Sequence, residues 1–349
     1  MKSFEHGFLG RLPVSQDLLR AVGALREFKG RQDLHKKQIP QALETLRQAA
    51  VIQSTESSNR IEGVTAPLKR IQSLVAEKTT PRNRSEQEIA GYRDVLNTIH
   101  ADHADIPLTV GIVLQFHRDL YQYAGEGGRW KPADNEIVER HPDGKMVVRF
   151  RPVPAFATPE HMERLHERFR AACDEGKIEP LFLIAAYVLD FLCIHPFFDG
   201  NGRMARLLTL LLLYRAGYEV GRYISLERIV ERSKESYYDV LQKSSIGWHE
   251  GRHDLIPWTE YFLGIVTAAY KELDERVGTL TSARGAKSEM VLDAIRATFG
   301  EFSVKELQAR CPHVGIDLIR RILREQRQAG NLECLGRGPD ARWRRLRGE

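Results

Sequence analysis

Two apolar runs constrain this chain more than anything else in it. "PLFLIAAYVLDFLCI" (180–194) and "LLTLLLLY" (207–214) are too apolar to face water. Asp190 interrupts the first and the second is too short to cross a bilayer, so both read as buried helices. Between them lies "HPFFDGNGRMAR" (195–206), with a histidine, a carboxylate, an asparagine between glycines and two arginines. Charges set among buried helices need partners, because an unpaired charge out of water is costly. The missing partner is either another part of the chain or a ligand.

The residue types favour an anionic ligand. Gly200 and Gly202 flank Asn201 and let backbone come close to a bound group. The first amides of the helix that starts there have no intrahelical acceptors, which makes an anion pocket suited to phosphate. Arg203 and Arg206 are three apart and share a helix face, and two guanidinium forks suit a polyphosphate. Asp199 can hold Mg²⁺ beside phosphates, and His195 has the pKa range of a general base. Without a ligand the same residues read as a helix end, a turn and solvated arginines. That reading leaves these polar and glycine residues between two buried helices unexplained.

The rest of the chain reads as mainly α. Apolar residues recur at three- and four-residue steps in "QDLLRAVGALREF", "IPQALETLRQAAVIQSTES", "APLKRIQSLVAEK", "EQEIAGYRDVLNTIH" and "TVGIVLQFHRDLYQYA". Pro40, Pro67, Thr109 and Pro180 mark first turns. "GEGGRWKPADNEIVERHPDGKMVVRFRPVP" (125–154) breaks the pattern. "NEIVE" and "MVVRF" around "HPDG" predict a β-hairpin, which in a helical protein reads as a flap. "TSARGAK" is small and polar, and 281–286 reads as a linker. Beyond it, 287–349 predicts three short helices and two strands around a Gly-Pro-Asp turn, the pattern of a winged helix-turn-helix-like domain.

"HPFFDGNGRMAR" resembles the Fic family motif H-P-F-x-D-G-N-G-R-x-x-R at every specified position. The resemblance implies a Fic-type helical bundle with its core over 105–280, and a protein adenylyltransferase that moves AMP from ATP to a Ser, Thr or Tyr hydroxyl of a protein, with Mg²⁺. It implies His195 as base, Asp199 as metal ligand, Gly200, Asn201 and Gly202 as the anion hole, and Arg203 and Arg206 on the phosphates. The hairpin resembles the family flap, which pairs with a target segment through its main chain. "SSNRIEG" in 57–63 resembles the family's inhibitory pattern [S/T]-x-x-x-E-[G/N], placing Ser58 and Glu62 in an inhibitory helix within an N-terminal region, 1–104. In that class the glutamate pairs with the second arginine, here Arg206. In some relatives it instead positions a water that removes AMP, and the sequence leaves that choice open. "SKESYYDVL" resembles the family segment near the adenine; there Tyr237 and Tyr238 would supply stacking, with core packing as the competing reading.

The chain has 349 residues, 42% hydrophobic and 28% charged, with a net charge of +5. Residues 287–349 hold thirteen Lys and Arg against nine Asp and Glu, so most of the surplus sits there. Arg320, Arg321, Arg324 and Arg327 lie on the expected recognition helix, and DNA is a candidate partner for this domain. A protein-docking role competes with it. A second function therefore stands beside the enzyme, a nucleotide-sensing transcriptional regulator; a sensor would need no base, so His195 favours the enzyme. Cys173, Cys193, Cys311 and Cys334 form no CxxC pair, which suits a reducing cytoplasm, and "MKSFEHGFLGRLPVS" shows no secretory pattern. No membrane partner is expected, and a homodimer is left open.

Overall fold

The computed structural model describes residues 1–346 except 6, 77–78, 141–145, 297, 299, 313, 337 and 339–340. It is mainly helical, with a small hairpin and a small C-terminal sheet, in two compact units, Met1–Leu273 and Asp274–Glu349. No helix among the described residues is long and apolar enough to cross a membrane.

The first unit carries α1 (Gln16–Gln38), α2 (Pro40–Ile61), α3 (Leu68–Ala76), α4 (Arg84–Asp102) and α5 (Val110–Leu120). A hairpin of β1 (Ile137–Arg140) and β2 (Met146–Phe150) follows, then α6 (Thr158–Glu175), α7 (Pro180–Ile194), α8 (Asn201–Arg215), α9 (Leu226–Arg232) and α10 (Lys234–Ser245). The start signals act as expected. Pro40 and Pro180 open α2 and α7, α3 begins at the residue after Pro67, and the Thr109 hydroxyl accepts the Ile112 amide at 3.3 Å to cap α5.

The two apolar runs are the centre of this unit. In α7 every residue is buried except Pro180 and Leu192, and α7 packs between α6 and α8. α4 lies against α2, α5 and α8, and α2 also touches α9. Asp190, the acid inside α7, is fully buried and fully answered. It accepts from Ser3 Oγ at 2.7 Å, from the Ser3 amide at 3.2 Å and from Trp248 Nε1 at 2.6 Å. Burial pushes its carboxyl above the usual range, while these donors act against the rise. Residues 1–104 and 105–273 do not separate into two bodies; both lie within Met1–Leu273.

The hairpin is antiparallel, with Val138 opposite Val148 and a register shift between Ile137 and Val138. Its turn, 141–145, lies outside the described residues.

α11 (Ile256–Arg296) is helical through 281–286, and this corrects the linker expected there. Ala, Arg and Lys in "TSARGAK" are good helix formers, and its one glycine weakens a helix without ending it. The first of the three short C-terminal helices is therefore the end of α11. The second unit adds β3 (Glu301–Ser303), α12 (Val304–Arg310), α13 (Ile316–Gln328), β4 (Leu332–Cys334) and β5 (Arg342–Arg345), with sheet order β3-β5-β4. Ile319, Ile322 and Leu323 of α13 pack with Phe302, Leu307 and Trp343 in a core of their own.

Where α4 crosses α5, Gly91 carries the closest approach. A Cβ there would overlap the Leu120 backbone carbonyl, which cannot swing aside as a side chain can. Gly91→Ala should therefore lower stability by about 1–3 kcal/mol through overpacking, despite the ~1 kcal/mol helix-propensity gain of alanine. Urea unfolding followed by circular dichroism reads this out; a midpoint at or above the parent's would show that the crossing tolerates a methyl.

Candidate active site

α7 ends and α8 begins within six residues, and the turn between them builds the site. His195 caps α7 in the left-handed region, φ 50° and ψ 61°, the one non-glycine residue with positive φ among those described. Its Nδ1 lies 3.3 Å from the Leu192 carbonyl. A carbonyl only accepts, so Nδ1 carries the proton and Nε2 keeps a free lone pair. Burial first, with Lys131 adding to it, pushes the imidazole down to about 4, against raising contributions from the Leu192 carbonyl, Glu62 and Asp199. At neutral pH His195 is a neutral ring with an unprotonated Nε2.

The loop below it is fixed from three sides. Asn201 Oδ1 accepts the Phe197 amide at 2.9 Å and Nδ2 donates to the Phe197 carbonyl at 2.8 Å, so this side chain closes the loop. Asn201 was expected in the anion hole; its side chain clamps the turn, and only its amide is left for that role. His117 of α5 stacks flat on Phe197, ring centroids 3.7 Å apart. Its Nδ1 accepts the Gly128 amide and its Nε2 then donates to the Asp199 carbonyl at 3.1 Å. Asp199 Oδ1 accepts the Gly200 amide at 2.6 Å, and its side chain is 61% exposed. Burial acts to raise the Asp199 carboxyl, but the Tyr121 hydroxyl, Arg203 and the Gly200 amide outweigh it and hold it below the usual range.

The two arginines diverge. Arg203 is 1% exposed and faces inward. It donates to Glu88 of α4 at 2.6 Å and to the Tyr121 hydroxyl at 2.7 Å. Arg206 faces the end of α2. Its Nε donates to Ser58 Oγ at 2.8 Å, and its Nη2 donates to the Ser58 carbonyl at 2.9 Å and to Glu62 Oε1 at 2.7 Å. Burial alone would depress its guanidinium, yet Glu62 outweighs that and raises it. Nη1 is buried with no acceptor among the described residues. Gly202 is where α8 meets Glu62, since a Cβ there would overlap Glu62 Oε1.

Glu62, His195, Gly202 and Arg206 line one cleft of about 740 Å³ with the hairpin residues Ile137, Val138, Arg149 and Phe150, and with Tyr237 and Tyr238 of α10. That volume suits a nucleotide-sized ligand. Asp199 and Arg203 lie beside the cleft lining rather than in it. Among the described residues no group of three or more His, Cys, Asp or Glu is placed to hold a metal. A single ionised, half-solvated carboxylate fits Mg²⁺ held mainly by substrate phosphates and water, and fits no all-protein cage.

Residues 107–213 match the sequence model of the Fic/DOC family. This segment is a Fic/DOC family domain. The protein adenylyltransferase Fic of Nematostella vectensis is 26% identical over 210 residues, 57% of this chain and 44% of that one. The protein adenylyltransferase Fic of Drosophila melanogaster is 28% identical over 214 residues, 59% of this chain and 40% of that one. The chain thus spans less than half the length of these curated relatives. The crystal structure of a Fic family protein from Desulfovibrio desulfuricans G20 shares the fold, with a TM-score of 0.63 at 23% identity over 96% of this chain and 98% of that one. A Fic domain containing signaling protein from Bacteroides thetaiotaomicron has a TM-score of 0.61 at 21% identity, covering 71% and 94%.

The structure brings Glu88, His117, Tyr121 and Lys131 to this site, none of which the sequence singled out. A stacked histidine, a lone tyrosine and a lysine between tryptophan and proline carry no local signal. Their roles come from contacts made across 63 to 115 residues of chain.

Buried neutral histidines make a stability prediction. His195 and His253 are pushed down to about 4 and His100 to about 3, each first by burial, against about 6.5 when unfolded. Between pH 6.5 and 4 the unfolded chain binds more protons, so stability falls as pH falls through that window and levels off above it. Urea midpoints at pH 7.5, 6 and 5 should decrease in that order. His195→Asn should make the decline shallower; an equally steep decline would place the His195 pKa near its ordinary value.

Proposed function

We propose that this chain is a protein adenylyltransferase, moving AMP from ATP to a Ser, Thr or Tyr hydroxyl of a protein, and that Glu62 restrains it. The observation that carries this reading is His195. Its tautomer leaves Nε2 free at the cleft wall, beside the N-terminus of α8. The Fic/DOC match and the adenylyltransferase name of the relatives support it.

In this reading the target hydroxyl gives its proton to His195 Nε2. Its oxygen bonds the α-phosphorus, and the bond to the bridging oxygen breaks to release pyrophosphate. The first amides of α8, at Asn201 and Gly202, face the phosphates, where positioning and charge stabilisation do most of the catalysis. Asp199 would hold Mg²⁺, which when bound supplies positive charge against the phosphate oxygens. Tyr237 and Tyr238 line the wall where the base would lie, with Tyr237 packed against Trp258 and Tyr261. The hairpin lining the cleft offers main-chain groups to a target segment.

Arg206 explains the restraint. The guanidinium that would meet the γ-phosphate is already bonded by Glu62. A hydrogen bond between such charged groups is worth about 1.5–3 kcal/mol, which a bound triphosphate must replace. Glu62 also lies in the cleft where it can activate a water, so removal of AMP is the second reading of the same residue. Labelling with ATP and Mg²⁺ separates the two. Glu62→Gly should raise covalent AMP transfer several-fold, His195→Ala should abolish it while ATP binding persists, and Arg206→Ala should lose it in either background. A folded Glu62→Gly chain with unchanged or lower transfer would assign Glu62 to hydrolysis.

For 287–349 we infer a winged-helix role in binding duplex DNA, carried by α13 rather than by the strands. Arg320, Arg324 and Arg327 share its exposed face, and no carboxylate among the described residues lies within ion-pair distance of them. On β5, by contrast, Arg344 pairs with Glu333 at 2.9 Å and Arg342 with Glu301 at 3.4 Å. The full chain should bind duplex DNA with an affinity that falls steeply with salt. Changing all three α13 arginines to alanine should reduce the log–log slope by up to about 3, roughly 0.9 per lost phosphate contact. No anisotropy change with duplex at low salt, or an unchanged slope, would leave protein docking as the use of this face.

A further inference from the structure

A non-glycine residue in the left-handed region is held there by its surroundings, because the conformation itself is unfavourable. His195 is such a residue, and its direction into the cleft depends on it. Its own amide donates to the Phe191 carbonyl at 2.9 Å. That bond anchors the end of α7 but leaves the carbonyls on either side of His195, those of Ile194 and Pro196, to be fixed by something else.

Both are fixed by one residue. The Lys131 amide donates to the Pro196 carbonyl at 2.9 Å, and Lys131 Nζ donates to the Ile194 carbonyl at 3.2 Å. Lys131 is 3% exposed, a rare state for a lysine. Its third contact, Nζ to Asn135 Oδ1 at 2.9 Å, joins it to a side chain whose Nδ2 reaches the Phe197 carbonyl at 3.3 Å. The segment 131–135 thus clasps 194–197 by main chain and side chain, immediately before the hairpin. Ile194 ends α7, and a cation at a helix C-terminus is favoured by the unsatisfied carbonyls there. No carboxylate is within ion-pair distance of Nζ among the described residues, so main-chain and amide oxygens alone hold this ammonium.

We propose that Lys131 is a positioning residue for the proton acceptor: its ammonium on the Ile194 carbonyl and its amide on the Pro196 carbonyl lock the left-handed turn that aims His195 Nε2 into the cleft. The assignment of His195 as base rests on the function proposed above; the clasp itself does not. Two consequences follow from the chemistry. Removing the ammonium frees the Ile194 carbonyl and lets the turn relax, which lowers the rate of transfer more than it weakens ATP binding. It also removes a positive charge that disfavours protonated His195, beside which Glu62 and Asp199 are the acids that favour it. Burial pushes Lys131 down to about 8, with Asp134 acting the other way, so the wild-type clasp loses its charge within an accessible pH range.

The test uses the full chain with ¹³C-labelled histidine. Lys131→Met keeps length and apolar bulk but removes the donor. It should raise the His195 titration midpoint measurably, lower single-turnover AMP transfer at least tenfold and change the ATP Kd less than threefold. Lys131→Arg should restore at least part of the rate. In the wild-type chain the neutral His195 ring should show a second, smaller shift with a midpoint near 8, as Lys131 deprotonates; this reading needs no variant to fold and no transfer to occur. No second His195 shift up to about pH 11, by which Lys131 would be deprotonated even at its ordinary pKa, overturns the proposal. So does a folded Lys131→Met chain with the parent's His195 midpoint. A second shift near 8 in a chain that transfers no AMP would uphold the clasp and reject the enzymatic reading alone.

Discussion

A guanidinium buried beside the cleft organises this structure. Arg206 is taken almost wholly out of water, and such a charge is tolerated only where hydrogen bonds and a counter-charge replace its hydration. Ser58 supplies two acceptors and Glu62 the charge, all from the last turn of α2. The end of α2 therefore has to lie against α8. Lys234 of α10 adds to this by donating to the Ile61 carbonyl at 2.7 Å, and Arg60 reaches Glu231 of α9 at 3.0 Å. The N-terminal helices are joined to the core on the wall of the cleft, so the contacts of the proposed restraint are also contacts that hold the fold together.

Arg203 shows the other use of a buried cation. It has its own carboxylate, Glu88, and a tyrosine hydroxyl, and it lies beneath the loop rather than in the cleft. It holds the Tyr121 hydroxyl at 2.7 Å and reaches the Asp199 carboxylate directly at 3.6 Å. One arginine serves the shape of the loop and the other faces the ligand space, although sequence spacing put them on the same helix face.

How much of this was legible beforehand follows from the range of each interaction. The apolar runs at 180–194 and 207–214 announced buried helices, since periodicity and burial are local properties. Pro40, Thr109 and Pro180 marked helix starts for the same reason. Ser58 and Glu62 were found only because a motif linked them to Arg206, across 144 to 148 residues that no periodicity spans. Lys131 and His117 could not be found: their hydrogen bonds to distant segments go to backbone carbonyls and amides, which every residue has, so no residue type at the other end betrays them. The segment at 281–286 was misread because small polar residues serve a helix as well as a linker, and neighbouring helical sequence decided the outcome.

Gly202 gives the contact between Glu62 and Arg206 a further consequence. A single added methyl at this position would collide with the Glu62 carboxylate, a flexible end that would yield and leave Arg206. The same methyl would stand over the first turn of α8, where an anion has to approach. Release of the restraint by that route and obstruction of the site arrive in one substitution. Under the proposed function, Arg206 is freed by changing Glu62 or its helix, but not by changing the surface that Glu62 touches.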